Sequence, residues 1–150
     1  MTNRPTALRD PEFMRAMLDV VIPTSNAGRM PGAGGLGLEA EIAAAIEADT
    51  MIGPVLKTAL EALRQAAESR DARGMAGLDA TARNEVVQAQ MGHEVLMMAL
   101  ARYVYAAYYA HPRVLEGLGE PARPPFPEGY EVEPTDPQLL ERLKRRRRSV

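Results

Sequence analysis

The chain has 150 residues, enough for one domain of ordinary size. It contains no cysteine, which excludes a disulfide framework, a thiolate metal site and a cysteine nucleophile. The formal net charge is −2, but positions 1–143 carry −7, because the run Lys144 to Arg148 holds five of the 18 basic residues. A body that is acidic except for its last residues is not the basic face of a nucleic-acid reader. Apolar residues make up 46% of the chain and aromatics only 5%, with nine Met and no Trp, a composition that favours helices over sheets.

Asp10-Pro11-Glu12 has the form of an N-cap, a proline at the first helical position and an acid on the helix dipole. It predicts a helix through Phe13, Met14, Met17, Leu18 and Val21 that stops at Pro23. From Pro23 to Gly37 the chain carries five of its twelve glycines and two prolines, the chemistry of a long loop. Leu38 to Asp49 places Leu38, Ile42 and Ile46 at helical spacing, with Glu39, Glu41 and Glu47 expected on the solvent side. Gly53-Pro54 opens another helix with the stripe Leu56, Ala59, Leu60, Leu63 and Ala67, and with Arg64 and Glu68 spaced to pair on its wet face.

Gly74 and Gly77 interrupt the pattern, and Asp79 is positioned to cap a helix containing Val86, Val87 and Met91. From His93 to Tyr109 the chain is apolar nearly all round, which predicts a central helix or one covered by a partner. Pro112 starts a short helix that Gly117 or Gly119 ends. Six prolines between Pro121 and Pro137 predict an extended arm, and Asp136-Pro137 precedes Leu139, Leu140 and Leu143 in a last amphipathic segment. The expected architecture is all-α: a single helical domain of five to seven helices over residues 1–120, followed by a Pro-rich extended C-terminal arm over 121–150.

Gly32 to Gly37 matches G-x-G-x-x-G, but no strand pattern precedes it, so a flexible loop outweighs a dinucleotide site. His93-Glu94 begins like H-E-x-x-H, yet Met97 occupies the second histidine position, and a lone histidine on an apolar helix is more often structural. Ser25, Ser69 and Ser149 lie in no nucleophile elbow. No catalytic, cofactor-binding or metal-binding residue emerges. Tyr103, Tyr105, Tyr108 and Tyr109 gather in one turn and a half; 105, 108 and 109 share a face while 103 points elsewhere, a pattern suited to core packing and, slightly less, to partner contact. The basic tail suits any polyanion, and a solvated tail is its simpler reading. The N-terminus shows neither a signal-peptide progression nor a twin-arginine pair at Arg4 and Arg9, and no apolar run reaches membrane-span length, which places the expected compartment in the cytoplasm.

Three stretches carry a family resemblance: Leu18-Asp19-Val20-Val21-Ile22-Pro23, then Pro31-Gly32-Ala33, then Tyr108-Tyr109-Ala110-His111-Pro112-Arg113-Val114-Leu115 closing at Leu118-Gly119. Together they resemble gluconate 2-dehydrogenase subunit 3, the small helical subunit of flavin-dependent sugar and polyol dehydrogenases. The resemblance spans roughly Phe13 to Gly119. It implies a non-catalytic accessory subunit, without cofactor of its own, bound to a large FAD-containing oxidoreductase of the glucose-methanol-choline type. No catalytic residue transfers, because the matching positions are structural. The family commonly carries an export signal that is not seen in this sequence, so a periplasmic location would require export with the partner. The expected partner contacts are Tyr105, Tyr108, Tyr109, Phe126, Tyr130, Leu139, Leu140 and Leu143. A nucleic-acid-associated helical protein acting through its arginine tail is the alternative, and a small enzyme using His93, Glu94 or the glycine loop is a third reading.

Overall fold

Asp10 starts the first long helix as its sequence requires: its carboxylate accepts from the Phe13 amide at 3.1 Å, with Pro11 in the first turn and Glu12 beside the positive end of the dipole. The computed structural model describes residues 6–25, 28–90 and 94–120, with side chains in the last stretch from Met97 onward. Among the described residues six helices form: α1 Pro11–Val21, α2 Glu39–Ala48, α3 Gly53–Arg70, α4 Ala80–Gln90, α5 Glu94–Ala110 and α6 Pro112–Leu118. Short 3-10 turns at Ala7–Arg9, Ala33–Gly35 and Gly74–Gly77 join or precede them, and there is no strand among the described residues. The protein is thus all-α, a single helical domain, within the expected number of helices. The expected arm of 121–150 lies outside the described residues.

The buried stripe of α1, Phe13, Met14, Met17 and Leu18, is the centre of the core. Around it α1 meets α2, α4, α5 and all three 3-10 turns. Ile42 and Ile46 of α2, Leu56, Leu60 and Leu63 of α3, Val86 and Val87 of α4 and Leu100, Val104 and Tyr108 of α5 complete the same apolar cluster. Each fully buried Leu or Ile contributes roughly 1.5–3 kcal/mol from burial, so aliphatic side chains replace the scarce aromatics. Asp79 caps α4 by accepting from the Ala82 amide at 2.8 Å. Gly119 stops α6 with φ +82°, and its amide and that of Glu120 take up the last carbonyls of the helix.

Two expectations about charged residues are corrected. Glu39 is not on the solvent side of α2: it is 9% exposed and accepts a hydrogen bond from Arg15 Nε of α1. Arg64 does pair with Glu68, at 2.6 Å, but it is 8% exposed rather than on a wet face. Its other partner is Glu61, at 2.5 Å, which in turn accepts the Ala7 amide at 2.9 Å. The guanidinium hydrogen bond, with help from that amide, holds the Glu61 carboxyl below its ordinary pKa against the opposing effect of burial. Glu61 of α3 therefore secures the N-terminal 3-10 turn, with Arg64 of the same helix holding its carboxylate in place.

The helix α5, expected to be central or covered by a partner, packs one side into the core. Leu100, Val104, Ala107 and Tyr108 face inward, whereas Met98, Arg102, Tyr105 and Tyr109 lie on an exposed side. No described helix is long and apolar enough to cross a membrane.

The burial contrast between two α3 arginines yields a direct stability test. Arg64→Ala is expected to cost about 1–3 kcal/mol, because it removes the buried guanidinium that two partly buried carboxylates, Glu61 and Glu68, share. Arg70→Ala removes only an exposed pair with Glu85 and should lie within about 0.5 kcal/mol of the parent chain. Denaturant unfolding of the two variants measures the difference.

Candidate functional site

The sequence stretches most separated along the chain meet at the C-terminal end of α1. Asp19 points out of the last turn of that helix and accepts the Gly34 amide at 2.9 Å. The Gly32 amide is taken by Thr24 Oγ1 at 3.1 Å and the Ala33 amide by the Ile22 carbonyl at 2.9 Å. Across the loop, Met30 donates to Ser25 Oγ, and Ser25 donates back to the Met30 carbonyl. Tyr108 of α5 closes the joint by donating its hydroxyl to the Pro31 carbonyl at 2.8 Å. The glycine-rich segment is thus bolted to the end of α1 and to α5 by hydrogen bonds made through its own main-chain groups.

This arrangement explains the glycines. A Cβ on Gly34 would lie 2.4 Å from the Arg15 carbonyl oxygen, and one on Gly32 would lie 2.4 Å from Asp19 Oδ1. The residues are small because backbone and carboxylate approach them, not because a phosphate does. The segment before the motif is helix and loop rather than strand, and the Gly34 amide already has an anionic partner inside the protein.

The tyrosines divide into three roles. Tyr103 turns toward α2 and donates to Asp49 Oδ2 at 2.6 Å, with Arg102 stacked 5.0 Å from its ring centre and 3.3 Å from the same carboxylate oxygen. Asp49 also accepts the Met51 and Ile52 amides through Oδ1, at 2.9 and 2.8 Å. The Tyr103 hydroxyl first, and then these amides, lower the Asp49 pKa from 3.8 to about 2; the same contact raises that of Tyr103. Tyr108 departs from its expected place at a partner interface: it is 2% exposed, its pKa is pushed up by burial, and its hydroxyl serves the loop. Tyr105 and Tyr109 are 46% and 52% exposed, with ring centres 6.2 Å apart.

The remaining sequence candidates are quickly placed. His111 caps α6, its Nδ1 accepting the Arg113 amide at 3.2 Å. His93 and the Glu94 side chain lie outside the described residues, as do Phe126, Tyr130, Leu139, Leu140, Leu143 and the basic run from Lys144 to Arg148. Among the described residues no three His, Asp or Glu side chains are grouped to hold a metal ion. A cleft of about 730 Å³ opens between the N-terminal turn and α3 beside Arg9, Lys57, Glu61 and Gln65. It combines charges of both signs with an apolar floor and holds no nucleophile–base pair. Sequence reasoning missed Asp19 as the anchor of the loop; its position one turn before a glycine-rich segment was the available signal. No protein-family model, curated protein or solved structure matches the chain.

Two measurements follow from this geometry. Gly34→Ala should destabilise the protein by about 1–3 kcal/mol through the clash with α1. Gly35→Ala, with open space around its Cβ position, should be neutral or slightly stabilising, and thermal melts separate the two. The second concerns acid. Because the folded pKa of Asp49 is depressed, its stabilising effect is fully present above pH 3.8 and disappears as pH falls toward 2. Asp49→Asn should therefore lower the melting temperature at neutral pH and flatten its fall across that window. Tyr103→Phe should raise the Asp49 pKa toward its ordinary value in an NMR titration.

Proposed function

We propose that this chain is a non-catalytic small subunit that binds, stabilises or helps mature a flavin-dependent sugar or polyol dehydrogenase of the glucose-methanol-choline type. The observation that carries this reading is the joint at the end of α1. Of the three stretches that resemble gluconate 2-dehydrogenase subunit 3, the third lies about 75 residues beyond the second, yet Ile22, Ala33, Pro31 and Tyr108 are linked within one hydrogen-bonded unit. Residues that resemble a family for a structural reason are expected to meet in this way, whereas unrelated short matches have no cause to do so. The joint uses its polar groups on itself, which suits a rigid scaffold better than a reaction centre.

In this reading FAD and hydride transfer belong to the large subunit, and the partner contacts come from the segment 121–150, with Phe126 and Tyr130 as anchors. The complex is a hetero-oligomer and neither nucleic acid nor membrane insertion plays a part in it.

Co-expression of the full chain with a large flavin-binding oxidoreductase encoded beside it tests the proposal. The two should co-purify with flavin bound to the large subunit, which should lose yield or flavin content when expressed alone. Deleting 121–150 should weaken co-purification. Calorimetric titration of the isolated chain with FAD and NAD should give no binding; micromolar binding of either, or a flavoprotein that matures equally well alone, would overturn the reading. Polyanion binding lost on deleting 144–148 would favour the nucleic-acid alternative instead.

A further inference from the structure

The outer side of α5 exposes Met98, Arg102, Tyr105 and Tyr109, spaced four, three and four residues apart. That spacing forms a seam along one side of a helix, about 16 Å long at 1.5 Å per residue. It also reads the same in both directions. If a second α5 is laid antiparallel with the two-fold axis between positions 102 and 105, Met98 faces Tyr109 of the other copy and Arg102 faces Tyr105. Each of these pairs is chemically complementary: a thioether against an aromatic ring, and a guanidinium over a tyrosine face.

The charges choose between the two possible directions. A parallel pairing would put Arg102 against Arg102, whereas the antiparallel one offsets the two cations along the axis. Each guanidinium already has one neutralising carboxylate, Asp49, at 3.3 Å and one stacked ring, Tyr103, while its side chain stays 66% exposed. The acidic partner thus lowers the net charge carried into the seam, and the guanidinium remains accessible to a second ring.

Neighbouring residues widen the patch. Asp49 holds the α2–α3 turn beside Arg102, and on that turn Met51 is 85% and Ile52 37% exposed. Tyr105 and Tyr109 each leave open about half of the roughly 150–250 Å² that an aromatic side chain can bury. Complete burial of these rings together with Met98, Met51 and the symmetric residues would approach the lower end of the roughly 1,200–2,000 Å² of stable interfaces.

The geometry points to this face of α5 as a homodimer interface, in which two copies of the chain pack antiparallel with Met98 against Tyr109 and Arg102 against Tyr105. The inference stands apart from the proposed flavoprotein partner, since it concerns the chain alone.

The absence of cysteine makes a thiol cross-linking test clean, because only introduced positions react. Full-length Met98→Cys and Tyr109→Cys chains are treated with a short bismaleimide, separately and as a one-to-one mixture. The mixture should yield a cross-linked dimer and each variant alone should not, since identical positions lie about 16 Å apart along the antiparallel helices. Cross-linking of either variant with itself, or none in the mixture, would overturn the proposal. Sedimentation of the unsubstituted chain supplies an independent readout: it should be dimeric at about 0.1 mM. Tyr105→Lys, which sets a cation opposite Arg102, should weaken the dimer by about tenfold or more with an unchanged helical spectrum. A parent chain that stays monomeric at that concentration, or a Tyr105→Lys dimer as tight as the parent, would also sink it.

Discussion

The carboxylate of Asp19 sets the course of the chain after α1. A helix end leaves carbonyls pointing onward and gives the following chain no direction of its own. Here the Ile22 carbonyl takes the Ala33 amide while Asp19 takes the Gly34 amide, so a loop of fifteen residues is drawn back against the helix it has just left. Only glycine at positions 32 and 34 allows that approach. With the loop closed, α2 begins where Ile42 and Ile46 can reach the α1 stripe, and the Pro31 carbonyl is presented to Tyr108 of α5. Long loops of small residues carry a large conformational entropy when free, and these few hydrogen bonds are what offset it.

How far the fold was legible depended on whether a residue's partner was local. Asp10 and Asp79 are followed three residues later by the amides they cap, and Pro11, Pro54 and Pro112 each stand in the first turn of a helix. Those signals need only a few neighbouring residues to be interpreted. Glu39 and Arg64 look like members of a solvated face because helical spacing describes their own helix and nothing else. Their burial comes from Arg15 of α1 in one case and from the N-terminal turn around Ala7 in the other, 24 residues and more away. A partner at that distance leaves no periodicity.

The α5 helix shows a different limit. Met, Ala and Tyr count as apolar on both sides, so composition alone did not separate a central helix from one with a side left for a partner. Burial nevertheless follows a clear helical period, with Leu100, Val104, Ala107 and Tyr108 on the inside and Met98, Tyr105 and Tyr109 outside. The discriminating feature was the charge of Arg102 on the outer side, and it was masked by the tyrosines around it. Tyrosine in particular can hide its ring in a core or present it at a surface, provided its hydroxyl finds a partner or water. Tyr103 and Tyr108 find partners inside the chain, at Asp49 and Pro31; Tyr105 and Tyr109 do not need them.

The inner and outer sides of α5 are mechanically connected. Tyr108, fixed through its hydroxyl to the glycine loop, stands edge-to-face with Tyr109 at 5.1 Å between ring centres, and Tyr109 leans in turn toward Tyr105. At the other end of the exposed seam, Arg102 is held by Asp49, which also fixes the turn between α2 and α3. The outward residues are thus ordered by groups that belong to the fold, so part of the side-chain entropy that an interface must remove has already been removed on folding. A surface prepared in this way loses less on association than one of equal area carried by free side chains. The same polar contacts that close the loop and the α2–α3 turn therefore also prepare the one side of α5 that the core leaves uncovered.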